Sequence, residues 1–290
     1  MPVIAIVNRK GGSGKTTLAT HLAVHCAGSG NPVVLADVDR QQSTQAWLRR
    51  RAAQKLSART AIKGRALEPN ALVRPPAGFA HVILDTPGGL RGFDLMRVVM
   101  YADAVLLPIG ASVFDRESTA DCFTELQRLP RIAGGRCKVA AVGMRLDART
   151  NAEDVLRRWA ASMQLPFIGV LRETQVYVRC AERGLSLFDL PAAKVEADLR
   201  QWQPILDWLA PVLEAEVGEL ALGRPTSPLT LPRRPACDSG VRAPAIARPL
   251  DDGQARQPAT LAVEARAPVT TRIGRLLDVL AVPRFLQRGS

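Results

Sequence analysis

Paired cysteines are the first thing this 290-residue chain lacks. Its five, Cys26, Cys122, Cys137, Cys180 and Cys237, are scattered singly and form no CxxC. An odd, dispersed set excludes a disulfide framework and a cysteine-held metal, and it implies a reducing, cytosolic setting. Long hydrophobic runs are also missing. No stretch approaches the roughly 18 apolar residues of a membrane-spanning helix. Val3 to Val7 is too short for a signal segment and runs straight into Asn8 and Arg9. Lysine is scarce, 6 against 33 arginines. Acidic residues are in deficit, 27 against 39 basic, for a net charge of +12. Such a balance favours a polyanion such as nucleic acid, or an acidic membrane surface. Arginine enrichment alone is weak support, because genome base composition also produces it. What the chain has in quantity is apolar content, 47%, which excludes wholesale disorder.

Up to about residue 215, short apolar runs alternate with helical patterns. Strands are expected at 3–7, 33–38, 81–84, 104–109, 139–144 and 167–170. These runs are continuously apolar rather than alternating, as strands covered on both faces should be. Helices are expected at 15–27, 42–55, 93–101, 115–129, 151–163 and 194–213. The alternation predicts an α/β fold, a mostly parallel sheet with helices on both faces, over 1–215. Beyond it, nine of the 21 prolines crowd into 216–290. Residues 216–267 read as a flexible Pro/Arg-rich linker. In 268–290, Ile273, Leu276, Leu277 and Leu280 recur at helical spacing beside Arg272 and Arg275. That short amphipathic segment suits docking on the protein's own core, a partner's groove or an anionic membrane.

The sharpest signal follows the first expected strand: Asn8-Arg9-Lys10-Gly11-Gly12-Ser13-Gly14-Lys15-Thr16-Thr17, leading at once into a helix. Glycines let a backbone curl so that successive N–H groups converge on phosphate oxygens at a helix N-terminus. Lys15 would reach the β- and γ-phosphates of ATP, and the Thr16 hydroxyl would coordinate Mg²⁺.

With a second lysine at Lys10, this KGGxGK[ST] segment resembles the ParA/MinD family of deviant Walker ATPases, a P-loop NTPase type. The resemblance implies that Lys10 crosses the interface of an ATP-dependent homodimer and contacts the nucleotide of the other subunit. Asp37-Val38-Asp39-Arg40-Gln41-Gln42-Ser43 is close to the family's DxDPQ switch I motif, with Arg40 in place of the proline. By that resemblance Asp37 touches the Mg²⁺ shell through water and Asp39 orients the attacking water. Capping of the following helix is the plainer role for both aspartates. His81-Val82-Ile83-Leu84-Asp85-Thr86-Pro87-Gly88-Gly89 matches a Walker B strand. Asp85 would support the Mg²⁺ water shell, and Gly88 would bring switch II to the γ-phosphate. Leu146-Asp147-Ala148-Arg149-Thr150-Asn151 resembles the DART-type segment of chromosomal ParA proteins.

The resemblance covers roughly residues 1–210. It implies a ParA-like ATPase that binds DNA non-specifically when dimeric and positions a plasmid, a chromosome region or a protein cluster. A cargo-bound partner would stimulate slow hydrolysis. Arg149 and Arg172 are the implied phosphate contacts on DNA, and the expected location is the nucleoid. Residues 164–190 resemble orphan ParA-like proteins that distribute chemotaxis clusters. A MinD-like membrane-associated ATPase is the alternative. With no segment for a helix-turn-helix ahead of the first strand, specific operator binding is not expected.

Overall fold

The computed structural model describes residues 1–39, 41–54, 56, 62–66 and 80–214. Arg40, the linker 216–267 and the amphipathic segment 268–290 lie outside the described residues.

Among the described residues, seven strands form one parallel sheet. In chain order they are β1 (Val3–Ile6), β2 (Val33–Asp37), β3 (Ile62–Ala66), β4 (His81–Asp85), β5 (Ala104–Ile109), β6 (Lys138–Leu146) and β7 (Phe167–Arg172). Their spatial order is β3-β2-β4-β1-β5-β6-β7. The helices are α1 (Lys15–Gly28), α2 (Ser43–Ala52), α3 (Gly92–Val99), α4 (Val113–Gln127), α5 (Pro130–Ala133), α6 (Ala152–Ser162), α7 (Gln175–Arg183) and α8 (Ala192–Glu214). A 3₁₀ turn at Leu187–Asp189 precedes α8.

Alternation along β1 explains the layers, since successive strand residues point to opposite faces. Val3, Ala5 and Val7 pack into one core with Leu95 of α3, Phe123 of α4 and Leu156 of α6. Ile4 and Ile6 pack into the other with Leu18 and Leu22 of α1, Trp47 of α2 and Trp202 of α8. Both faces are therefore covered, and the strands are apolar throughout for that reason.

Six of the strands were expected. The seventh, β3, is an edge strand with four of its five residues exposed, so it carries no apolar run to read. Helix α7 was also missed, because only Cys180 of its nine residues is fully buried.

Strand order puts the site together. β2, β4 and β1 are neighbours, and Asp37 pairs in register with Asp85, which in turn pairs with Ile6. Three motifs far apart in sequence thus end on one edge of the sheet, at the carboxyl ends of the strands, where open α/β sheets bind ligands.

Candidate functional site

Between β1 and α1 the loop turns on Gly12 (φ +69°) and Gly14 (φ +101°), conformations that an L side chain resists. A Cβ on Gly14 would also lie 2.6 Å from Cε of Met144, at the end of β6. The Gly14 carbonyl accepts the Leu18 N–H at 3.0 Å. The Gly12 carbonyl accepts from Nη2 of Arg145 at 2.8 Å. In a planar trans peptide the next N–H points the opposite way, so the Ser13 N–H points away from Arg145 and the Lys15 N–H away from Leu18. Added to the positive end of the α1 dipole, this makes an anion cradle.

Lys15 is buried, and its Nζ donates to the Lys10 carbonyl at 3.0 Å. Burial lowers its pKa, opposed by the nearby Asp85 and Asp39. Beside it the Thr16 hydroxyl donates to Oδ2 of Asp85 at 2.8 Å. Oδ1 of Asp85 and Oγ of Ser13 are buried with no hydrogen-bond partner. Burial pushes the Asp85 carboxyl up to about 7.

The Thr16 hydroxyl oxygen and the unpartnered Oδ1 of Asp85 are hard oxygen donors of the kind Mg²⁺ takes. Mg²⁺ usually completes its shell with phosphate oxygens and water rather than a full protein cage. Among the described residues no cluster of three or more His, Cys, Asp or Glu is set to hold a metal alone.

Asp37 is buried and fully engaged. Its Oδ1 accepts the Asp39 N–H at 3.0 Å, and its Oδ2 accepts from the backbone of Thr44 and Gln45 and from the Thr44 hydroxyl. It therefore shapes the switch I loop and caps α2. Asp39 faces the cavity, with Oδ1 accepting the Gln41 N–H at 3.0 Å. Gly88 lies against the loop: a Cβ there would stand 3.3 Å from the Arg9 carbonyl and 3.4 Å from the Gly11 nitrogen.

Helix α4 braces the start of the loop through three consecutive residues. Asn8 donates to the Thr119 hydroxyl at 3.1 Å, Arg9 pairs with Glu125, and the Lys10 ammonium pairs with Asp115. Lys10 thus forms its ion pair within its own subunit.

The phosphate loop and Asp39 border one cavity of about 840 Å³, lined by residues 11–17, Asp39, Gly88, Met144, Arg145, Arg172 and Tyr177 among others. Arg172 belongs to this wall. Its guanidinium forks onto the buried Asp198 at 2.6 and 3.1 Å, while the side chain itself stays 41% exposed. Arg149 is 89% exposed and pairs with Asp147 at 2.7 Å. Arg145 was missed, since nothing in the sequence shows that residue 145 would adopt φ +55°.

Residues 4–188 match the family model described as the CobQ/CobB/MinD/ParA nucleotide binding domain. The maintenance of carboxysome distribution protein A of Gloeobacter kilaueensis is 32% identical over 211 residues, 71% of this chain and 94% of that protein. A variant McdA of Cyanothece, solved as its ATP complex, is 16% identical. It superposes with a TM-score of 0.54 over 78% of this chain and 99% of its own. The septum site-determining protein MinD of Pyrococcus horikoshii, complexed with Mg-ADP, is 18% identical. Its TM-score is 0.52 over 76% of this chain and 97% of its own.

Proposed function

Because this chain belongs to the CobQ/CobB/MinD/ParA family of nucleotide-binding proteins, we propose that it is a ParA/MinD-type positioning ATPase. Its cargo class is a large protein assembly, the kind named for the relative that matches over nearly its full length. The observation that carries this reading is the convergence of Lys15, Thr16 and Asp39 on a single cavity, with Asp85 hydrogen-bonded to Thr16 and the Lys10 carbonyl to Lys15.

In this reading the Ser13 and Lys15 N–H groups and the Lys15 ammonium hold the triphosphate of ATP. Thr16 and Asp85 would hold Mg²⁺, and Asp37 would support that pair through the loop it shapes. Bound Mg²⁺ supplies positive charge that offsets the charge developing on the phosphoryl oxygens. Asp39, on the cavity wall, positions the attacking water. Lys10 leaves Asp115 and contacts the nucleotide of a second subunit, as an arginine finger would. The resulting ATP dimer presents two copies of one surface, so DNA binding without sequence preference steepens with ATP, and a cargo-bound partner stimulates hydrolysis.

The test is light-scattering mass with and without ATP, alongside nucleotide binding. Wild type should dimerise only with ATP. Lys15→Ala should bind no nucleotide, and Lys10→Ala should bind ATP yet stay monomeric. A wild type that remains monomeric in ATP, or a Lys10→Ala dimer, overturns the proposal.

A further inference from the structure

We propose that Arg145 is a positioning residue of the phosphate-binding loop. Its bond to the Gly12 carbonyl turns the Ser13 N–H into the anion cradle. The inference rests on the nucleotide reading of the cavity and adds to it a residue that no part of the phosphate motif contains.

Three observations meet at this residue. First, Nη2 of Arg145 donates to the Gly12 carbonyl at 2.8 Å, across a sequence separation of 133 residues. A guanidinium donor makes that bond charge-assisted and directional. Second, Arg145 has φ +55°, a left-handed conformation that costs an L residue energy and persists only where surroundings impose it. The pairing of β6 with β7 shifts register between Met144 and Leu146, so residue 145 sits on a bulge that turns its side chain out of the strand pattern. Third, the same strand end packs against the loop a second time, through Met144 on Gly14.

Peptide planarity converts the first observation into function. The Gly12 carbonyl and the Ser13 N–H belong to one trans peptide and point oppositely. Glycine at 12 leaves that peptide free to flip, because both senses of φ are open to it. A flipped peptide would aim a carbonyl, not an N–H, at the phosphates. Arg145 holds it in the binding sense before any ligand arrives, which lowers the ordering cost of binding.

The substitutions separate this role from a merely structural one. Arg145→Gly and Arg145→Asn both tolerate positive φ but lose the cation, and Arg145→Lys keeps a donor. Expected are three- to tenfold weaker binding of a fluorescent ATP analogue for Gly and Asn, and partial recovery for Lys. The unfolding temperature should hold or rise in the Gly variant, since strain is relieved. Amide hydrogen exchange over 8–17 in the nucleotide-free chain should speed up in Gly and Asn. Unchanged affinity and exchange, or affinity losses that simply track falling stability, overturn the proposal. A wild-type chain that binds no nucleotide refutes the proposed function instead. The exchange measurement then decides on Arg145 alone, with equal rates in wild type and Arg145→Gly counting against it.

Discussion

Replacing Asp189 with alanine should cost this protein more stability than removing any surface charge. The side chains of Arg51 and Asp189 are 6% and 4% exposed, and they form a fork at 2.8 and 2.9 Å. Arg51 comes from α2, the helix that switch I leads into, and Asp189 from the turn before α8. Arg51 also donates to the Gly184 carbonyl at 3.3 Å, and Trp47 of α2 donates to the Leu185 carbonyl at 3.2 Å. Asp189 meanwhile accepts the Ser186 N–H at 2.8 Å and its hydroxyl at 3.0 Å. Alanine at 189 leaves a buried guanidinium with a single carbonyl. Breaking a buried pair in this way costs about 3–5 kcal/mol. At roughly 2–4 °C per kcal/mol for a domain of this size, the unfolding midpoint should fall by about 10 °C. Burial alone would raise the Asp189 carboxyl, but the bonds from Arg51 and Ser186 outweigh it and hold the pKa below the ordinary value. A depressed pKa stabilises the fold above the unfolded value and loses that contribution as pH falls through the folded one. The gap between wild type and Asp189→Ala should therefore be full near neutral pH and shrink on acidification below about pH 4. Urea unfolding across pH measures both quantities. The double change Arg51→Met with Asp189→Leu should recover most of the loss, since it leaves no stranded charge. A loss under about 1 kcal/mol at neutral pH, or a gap that ignores pH, refutes the reasoning.

Asp39→Ala should bind ATP, accumulate as dimer and lose more than about tenfold in turnover, or 1.4 kcal/mol of barrier. Wild-type phosphate release from this variant would remove Asp39 from the hydrolytic role. Arg149→Ala should weaken ATP-dependent binding to unrelated duplexes and reduce the salt slope by about one unit, as loss of one phosphate contact does. Fluorescence anisotropy across salt tests this, and an unchanged slope counts against Arg149. Arg172→Ala should instead lower stability, because it strands the Asp198 carboxylate, which is 2% exposed.

What the sequence carried, it carried through residues whose chemistry is local. Glycines at 11, 12 and 14 before Lys15 announce the cradle because the loop has no other way to turn, and the φ values of Gly12 and Gly14 bear that requirement out. Strands covered on both faces announce themselves as unbroken apolar runs, and six of them did. The features that escaped notice depend on partners far along the chain. β3 exists as a strand because β2 pairs with it, from Val33 opposite Ile62 to Asp37 opposite Ala66, although its own residues are mostly polar and exposed. Arg172 looks in sequence like any surface arginine, and only the fold reveals Asp198, 26 residues on, waiting for it. Arg145 is the extreme case. Its part depends on a bulge, a positive φ and a carbonyl 133 residues away, none of which leaves a trace in residue type. Asp37 shows the middle ground. Its position at a strand end marks it as part of the site. Both its oxygens are taken by backbone and hydroxyl donors, so its first task is to hold the shape of the loop from which Asp39 acts.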